Sequence, residues 1–291
     1  MARIPSAYWL IAPAVIVLLL ISIYPLLYSL NLSFRDFNYI RPHLGKPFIG
    51  LLNYKEILTS SQFYNDFWVT VKFVVGSVFF SVLFGLVLAL LLNRTFRWLR
   101  VIRALILLPM ITAPVVVALI WRWLLNPELG LVGYLMGIIG MEPQVWLTRS
   151  STALPALVWI DAWEWAPYCF LIIFAALQSL PDEPYEAALV DGAGYWQTLF
   201  YITLPQLKPI IIIVIVLRTL VTIKIYDLIY ILTAGGPGIS TESLVMYVYK
   251  NIFIFNDMGK ATASSFIVLI ISIVVCRVFF EILTKIQEGG K

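Results

Sequence analysis

Charged residues stand in this chain where the surrounding sequence is most apolar. Asp161 and Glu164 sit three residues apart in "WIDAWEW", among Trp159, Trp163 and Trp165, and "LRTLVTIKIYD" carries Arg218, Lys224 and Asp227. Carboxylates accept hydrogen bonds from sugar hydroxyls while indole faces cover the C–H side, so the first group suits a carbohydrate. The competing reading is that tryptophans gather at a membrane interface, and the position of this group near the end of an apolar segment favours that one. Paired acids also serve glycosidases, but no soluble catalytic domain accompanies these two. Lys224 and Asp227, at i and i+3, can neutralise each other on a helix or line a cavity, and both readings stand. Arg277 and Glu281 are one turn apart near a helix end, where pairing or snorkelling accounts for them without a transport role.

The elements that must hold these residues follow from composition. Of 291 residues 61% are hydrophobic and 12% charged, and the mean hydropathy is +0.92, far from soluble averages. Six stretches are long enough to cross a hydrocarbon core: Tyr8–Leu30, Phe67–Leu92, Ala104–Leu125, Ser151–Leu177, Pro209–Leu232 and Ala261–Leu283. Backbone groups find no water in lipid, and continuous apolar runs without two-residue alternation select helices over a barrel. The predicted fold is therefore all-α, a polytopic membrane protein with six transmembrane helices. Residues 1–66 form the first helix and an extracytoplasmic loop, 67–283 a core of five helices that includes a loop at 181–208, and 284–291 a cytoplasmic tail.

The first run is too long for a cleaved signal peptide and lacks a small-residue cleavage pattern after Tyr24-Pro25. Cys169 and Cys276 fall in separate spans and read as packing residues, and His43 reads as a solvated loop residue with no second ligand near it in sequence. The scattered basic residues exclude a nucleic-acid footprint. Orientation rests on the short link 93–103, which holds Arg94, Arg97, Arg100 and Arg103, against Arg35, Arg41, Lys46 and Lys55 spread over 33–66. Density makes the link cytoplasmic, which puts both termini inside and the loops 33–66, 126–150 and 233–260 outside.

The loop at 181–208 is then cytoplasmic, and it is unusual. Asp182, Glu183 and Pro184 mark a helix start, Tyr185–Val190 continues it, and Gly192 stops it. A second helical stretch, Tyr195–Ile202, is expected to end before Pro205 and Pro209, with Ala187, Ala188 and Leu189 free for packing. An amphipathic hairpin lying on lipid would carry basic residues, but 182–207 holds four acids and none. Such an elbow suits a basic protein partner.

"EAALVDGA" followed by "FYITLP" resembles the EAA loop of the inner-membrane permease subunits of binding-protein-dependent ABC importers. "FIGLLNYKEIL", "LLPMITAPVVVALIWRWLLNPELGLVGYLM" and "LRTLVTIKIYDLIYILTAGGPG" are similar to stretches of the sugar and glycerol-phosphate branch of that family. The chain lacks the extra helices and large insertion of the maltose permease's larger subunit, and so resembles six-helix members importing disaccharides, oligosaccharides or glycerol-3-phosphate. The resemblance implies a type I permease fold with a coupling helix. It places Glu186, Ala187, Ala188, Asp191, Gly192, Ala193, Leu204 and Pro205 at the contact with an ATPase subunit, Glu186 facing a basic residue. It further implies two copies of that ATPase, a second homologous permease and an extracytoplasmic solute-binding protein. ATP and Mg are used by the ATPase; this chain binds no cofactor and no metal, and it has no phosphate loop, since "TAGGPGIST" lacks the required lysine. Asp161, Glu164, Arg218, Lys224 and Asp227 become candidates for the translocation path.

Two rivals remain at this level. An ion-coupled secondary transporter would use Asp161, Lys224 and Asp227 as a proton relay, though such proteins show repeated halves that this sequence lacks. A membrane scaffold would account for the helices but not for the elbow.

Overall fold

A computed structural model describes residues 6–93, 97–142 and 144–288. Arg94, one of the four arginines of the basic link, and residues 289–291 of the predicted tail lie outside them. Among the described residues the chain is helical, with two isolated bridges and no strand. Five helices are long and apolar enough to cross a membrane, or six if a bent pair counts as one. The chain divides into two compact units that differ from the predicted division: residues 1–64 with 247–270, and residues 65–246 with 271–291.

The first unit begins with α1 (Ser6–Ser33), which continues through Tyr24-Pro25, and whose apolar span buries nothing against the rest of the chain. Its end is fastened to α2 (Leu52–Thr59): the Ser33 and Tyr54 hydroxyls lie 2.7 Å apart, and the Asn53 amide donates to the Ser33 and Arg35 carbonyls, each at 2.9 Å. His43 is exposed in a single 3₁₀ turn, as a solvated loop residue should be. Phe37 carbonyl accepts the Met258 N–H at 2.9 Å, and Lys260 Nζ lies 2.7 Å from Glu56 Oε2. Burial raises the Asp257 carboxyl above its ordinary range; the Lys260 N–H and ammonium oppose that rise.

The second unit is built on α3 (Ser61–Leu91) and α7 (Ser150–Gln178). Val78, Val82, Ala89 and Leu92 meet Cys169, Phe170, Ile173 and Leu177, and Leu207 and Val214 of α10 (Leu204–Thr222) close the core. The helices approach closely at Gly85, where a Cβ would stand 2.5 Å from that of Cys169. Both cysteines are free, Cys169 buried at this crossing and Cys276 exposed. The long α13 (Met258–Glu288) follows α12 (Leu244–Phe253).

Two predicted spans are wrong in outline. Ala104–Leu125 is not one helix but α4 (Leu99–Ile111) and α5 (Pro114–Leu124), bent by 98°. Pro114 disfavours the helical conformation at Ala113, and Thr112 and Ala113 are both extended, with ψ of 139° and 136°. Pro209–Leu232 is likewise broken: α10 ends at Thr222, and a separate α11 (Asp227–Leu232) follows. Val221, Thr222, Ile223 and Ile225 are β-branched and helix-weak, and the Ser243 hydroxyl supplies the unwound Ile225 carbonyl with a donor at 3.2 Å. The α11 helix packs on α5, which is followed by α6 (Leu131–Ile138).

Candidate functional site

Two constellations fall within the second unit. The first is the elbow. Its α8 (Glu183–Val190) begins at Asp182, whose carbonyl accepts from Tyr185 and Glu186 at 2.9 and 3.0 Å, with Pro184 in the first turn as predicted. Its end is a two-bond turn: Gly192 N–H donates to Leu189 O at 3.2 Å and Ala193 N–H to Ala188 O at 2.9 Å. Gly192 sits at φ 73°, a region closed to most side chains. The Gly194 N–H donates to Gln197 Oε1 at 2.8 Å and starts α9 (Tyr195–Thr198).

The second half of the elbow corrects the sequence reading. The helix does not stop at Pro205; α9 passes through a π-helical turn, Leu199–Thr203, directly into α10, and Pro205 and Pro209 both lie within that helix. Proline lacks an N–H and crowds the carbonyl four residues back. The wider turn, in which Leu204 N–H reaches Leu199 O, makes room for it.

Side-chain placement is also more specific than expected. Ala188 is turned inward and buried, so it is not available to a partner. Ala187 and Glu186 are exposed, as are Asp191 and Gly192; Leu189 and Val190 are 78% and 87% exposed. Ala193 and Leu204 are half-buried, and Pro205 is exposed. None of the four acids Asp182, Glu183, Glu186 and Asp191 forms an ion pair among the described residues. The elbow therefore offers an outward surface of unpaired carboxylates and large apolar side chains, which include Trp196 and Tyr201.

The second constellation is buried. Arg218 on α10 forms an ion pair and hydrogen bond with Asp161 on α7, and both residues are 1% exposed. The Ser77 hydroxyl on α3 donates to the same Asp161 oxygen and accepts from Arg218 Nη2 at 3.2 Å. Arg218 Nη1 donates to Thr222, and the guanidinium stands 4.9 Å from the Trp165 ring centroid. Arg218 Nε has no hydrogen-bond partner among the described residues. Three spans are thus joined through one arginine.

Asp161 and Glu164 are accordingly not interfacial. They lie midway along a 29-residue helix and are buried, while Trp159 and Trp163 on the same helix are 51% and 40% exposed. Lys224 and Asp227 do not share a helix, because the chain unwinds between them; both are exposed and no ion pair joins them among the described residues. Arg277 and Glu281 do pair, at 3.3 Å on an exposed face. The structure brings Asp161 and Arg218 together and leaves Lys224 and Asp227 at the unwound end of α10. Sequence reasoning missed Ser77 and Thr222; the one available signal was a lone hydroxyl in "VVGSVFF".

The elbow and the arginine link share one end of this unit. Gln178, at the end of α7, donates to Asn93, at the end of α3 and next to the link. Arg103 of the link is structural in part: its Nη2 donates to Leu92 O at 3.1 Å, and its guanidinium stands 4.1 Å from the Phe174 ring centroid.

Comparison with known proteins places this geometry. Residues 81–290 match the family model described as binding-protein-dependent transport system inner membrane component. The chain is similar to the trehalose/maltose transport system permease protein of Thermococcus litoralis, 34% identical over 276 residues that cover 94% of this chain and 92% of that one. It is also similar to the sulfoquinovosyl glycerol transport system permease protein of Agrobacterium fabrum, 34% identical over 277 residues, 95% and 90% of the two chains. Its fold matches a solved bacterial ABC transporter involved in import of the acidic polysaccharide alginate, with a TM-score of 0.83 over 97% of each chain at 23% identity. A match across 210 of 291 residues, the bent and broken spans included, makes this chain a member of the binding-protein-dependent transport system inner membrane components, the membrane-embedded permease part of an ABC importer.

Proposed function

We propose that this permease forms the translocation path for a sugar, a disaccharide or oligosaccharide in particular, or for glycerol-3-phosphate, and that a separate ATPase drives it. The observation that carries the coupling part is the elbow, with its unpaired acids and exposed Leu189 and Val190. A basic cleft of an ATPase subunit fits that surface, with Glu186 facing a cation. The helix α8, eight residues and about 12 Å long, is a stiff insert for such a cleft. One chain has one elbow, so a two-fold ATPase dimer calls for a second, homologous permease. The chain itself hydrolyses no ATP, having no lysine-bearing phosphate loop; ATP and Mg belong to the ATPase. The elbow and the arginine link, at one end of the unit, would both be cytoplasmic, with both termini on that side.

The sugar part is supported by the two relatives named for trehalose/maltose and sulfoquinovosyl glycerol transport. An extracytoplasmic solute-binding protein would deliver the solute, and closure of the ATPase dimer would rock the spans between inward-facing and outward-facing states. The unwound end of α10, with exposed Lys224 and Asp227, and the buried Asp161, Glu164 and Arg218 remain candidates for the path wall.

The test is uptake by the reconstituted complex. Proteoliposomes carrying the two permeases and the ATPase with the ATPase face inward, supplied with binding protein outside, should accumulate labelled disaccharide only with ATP in the lumen, and an ionophore should leave uptake unchanged. Uptake that collapses with the ionophore and ignores ATP would make the chain an ion-coupled transporter instead.

A further inference from the structure

The helix α8 is held to the bundle by few contacts. Among the described residues one side-chain hydrogen bond leaves it: the Tyr185 hydroxyl donates to Thr203 Oγ1 at 3.2 Å. Thr203 is buried at 6% exposure and its own hydroxyl donates onward to Thr198 O at 3.4 Å. It is the last residue of the π-helical turn, immediately before α10. Beside this bond lies a cleft of about 430 Å³, lined by Asn93, Gln178, Asp182, Tyr185, Tyr195 and Thr203 among others. That open space separates part of α8 from the ends of α3 and α7, which leaves the Tyr185–Thr203 bond as the polar tie from α8 to the bundle among the described residues.

The opposite region of α10 is pinned. Arg218 lies fifteen residues beyond Thr203, about 22 Å along a helix, and is tied to Asp161 and Ser77. The helix α10 is thus fastened to the elbow at its root and held by an ion pair near its far end. The segment beyond the pin is the unwound stretch that carries Lys224 and leads to Asp227.

We propose that Tyr185 is a positioning residue for coupled transport: its hydroxyl, seated on Thr203, fastens the coupling helix to the root of α10, and α10 carries the displacement past Arg218 to the unwound segment. The inference rests on the coupling role proposed for α8. Tyr185 does not touch the ATPase in this scheme and does not touch solute. It determines how much of the ATPase motion reaches α10.

The experiment uses the full complex with its binding protein in proteoliposomes, with ATP hydrolysed per solute imported as the readout. Tyr185→Phe and Thr203→Val each remove one hydroxyl, and each should raise that ratio about 3- to 5-fold, the scale of one neutral hydrogen bond. The double variant should be no worse than either single one, since both delete the same bond. Thr203→Ser should keep the wild-type ratio. ATPase recovered with the tagged permease should be unchanged throughout, which a merely structural role would not predict. Wild-type ratios in both single variants, effects that multiply in the double, or failure of Tyr185→Phe to assemble while Thr203→Val behaves normally would each overturn the proposal. A cysteine at Val190→Cys, paired with cysteines in the ATPase cleft, separates the two layers. Cross-linking with an unchanged ratio sinks only the latch, whereas no cross-link at any position sinks the coupling role of α8 as well.

Discussion

Replacing Asp161 with asparagine isolates what the buried pair does. The substitution keeps shape and the ability to accept from Ser77 and Arg218, and removes only the charge that balances a guanidinium at 1% exposure. At contact distance and an effective dielectric of about 20, one such pair is worth roughly 5 kcal/mol of Coulomb energy. Most of that offsets the desolvation of both ions, so the pair is nearly neutral against apolar residues, but removing one partner leaves a bare buried charge and costs about 3–5 kcal/mol. Little nearby relieves it: Arg218 Nε already lacks a partner among the described residues, Trp165 contributes only a face contact, and the buried Glu164, one turn along α7, offsets part of the charge without an ion pair to it among those residues. At roughly 2–4 °C per kcal/mol for chains of this size class, Asp161→Asn should lower the thermal midpoint by on the order of 10 °C. The assay is thermal unfolding of the detergent-purified permease complex, followed by size-exclusion of the fluorescent-tagged chain. Asp161→Leu combined with Arg218→Met, which removes both charges and fills the volume, should recover at least half of the loss. An Asp161→Asn complex as stable as wild type, or a double variant that simply sums two losses, would refute the assignment of a desolvated pair.

Three further outcomes follow from other sites. Glu186→Lys should detach the ATPase or uncouple its hydrolysis from uptake while the chain still inserts, and Gly192→Val should do the same by opposing a φ of 73° at a cost of about 1–2 kcal/mol; pull-down of the ATPase together with vesicle uptake reads both. Gly85→Leu places a side chain where a Cβ already meets that of Cys169 at 2.5 Å, and should lower stability by about 1–3 kcal/mol or prevent folding, whereas Gly137→Leu, which meets nothing within 4 Å, should be tolerated. Asp257 has its carboxyl raised by burial, so the folded chain holds this proton more tightly than the unfolded one, and the contribution of this group to stability falls as pH rises above its ordinary value of 3.8. Asp257→Asn, still able to accept from Lys260 N–H, should flatten that dependence, as amide exchange around residues 257–262 at pH 4 and pH 7 would report.

The sequence was legible where one physical signal dominated. Continuous apolar length located α1, α7 and the span in α13 to within a few residues and α3 except for its first six, and the acid–proline start with the Gly192 stop located α8. It failed where helical length and straightness come apart. Hydropathy averages over a window, and an averaged window cannot see a 98° bend at Thr112–Ala113, although Pro114 stood in plain view. The end of α10 at Thr222 had no glycine or proline to announce it, since its unwound carbonyl is satisfied by Ser243, which a reading of local sequence does not bring near. The prolines misled in the other direction: Pro205 and Pro209 read as a stop, but a π-helical turn removes the clash, and whether a chain widens or breaks there depends on packing of the buried Leu199, Thr203 and Leu207.

The same distinction explains the charges. Three tryptophans beside Asp161 and Glu164 suggest an interface only while the direction of each side chain is left out. In the structure Trp159 and Trp163 point outward from the helix that turns both acids inward. The partner of Asp161 is 57 residues away in sequence and Ser77 is 84 away, so no spacing rule could have joined them. A buried ion pair contributes little net stability; what this one adds is geometric, since one guanidinium meets Asp161 of α7 and Ser77 of α3 from α10. Sliding these helices past one another would separate a buried charge pair, a cost that apolar contacts alone do not impose. In the second unit the exposed Lys224 and Asp227, which form no ion pair among the described residues, lie beyond that contact, where α10 has unwound.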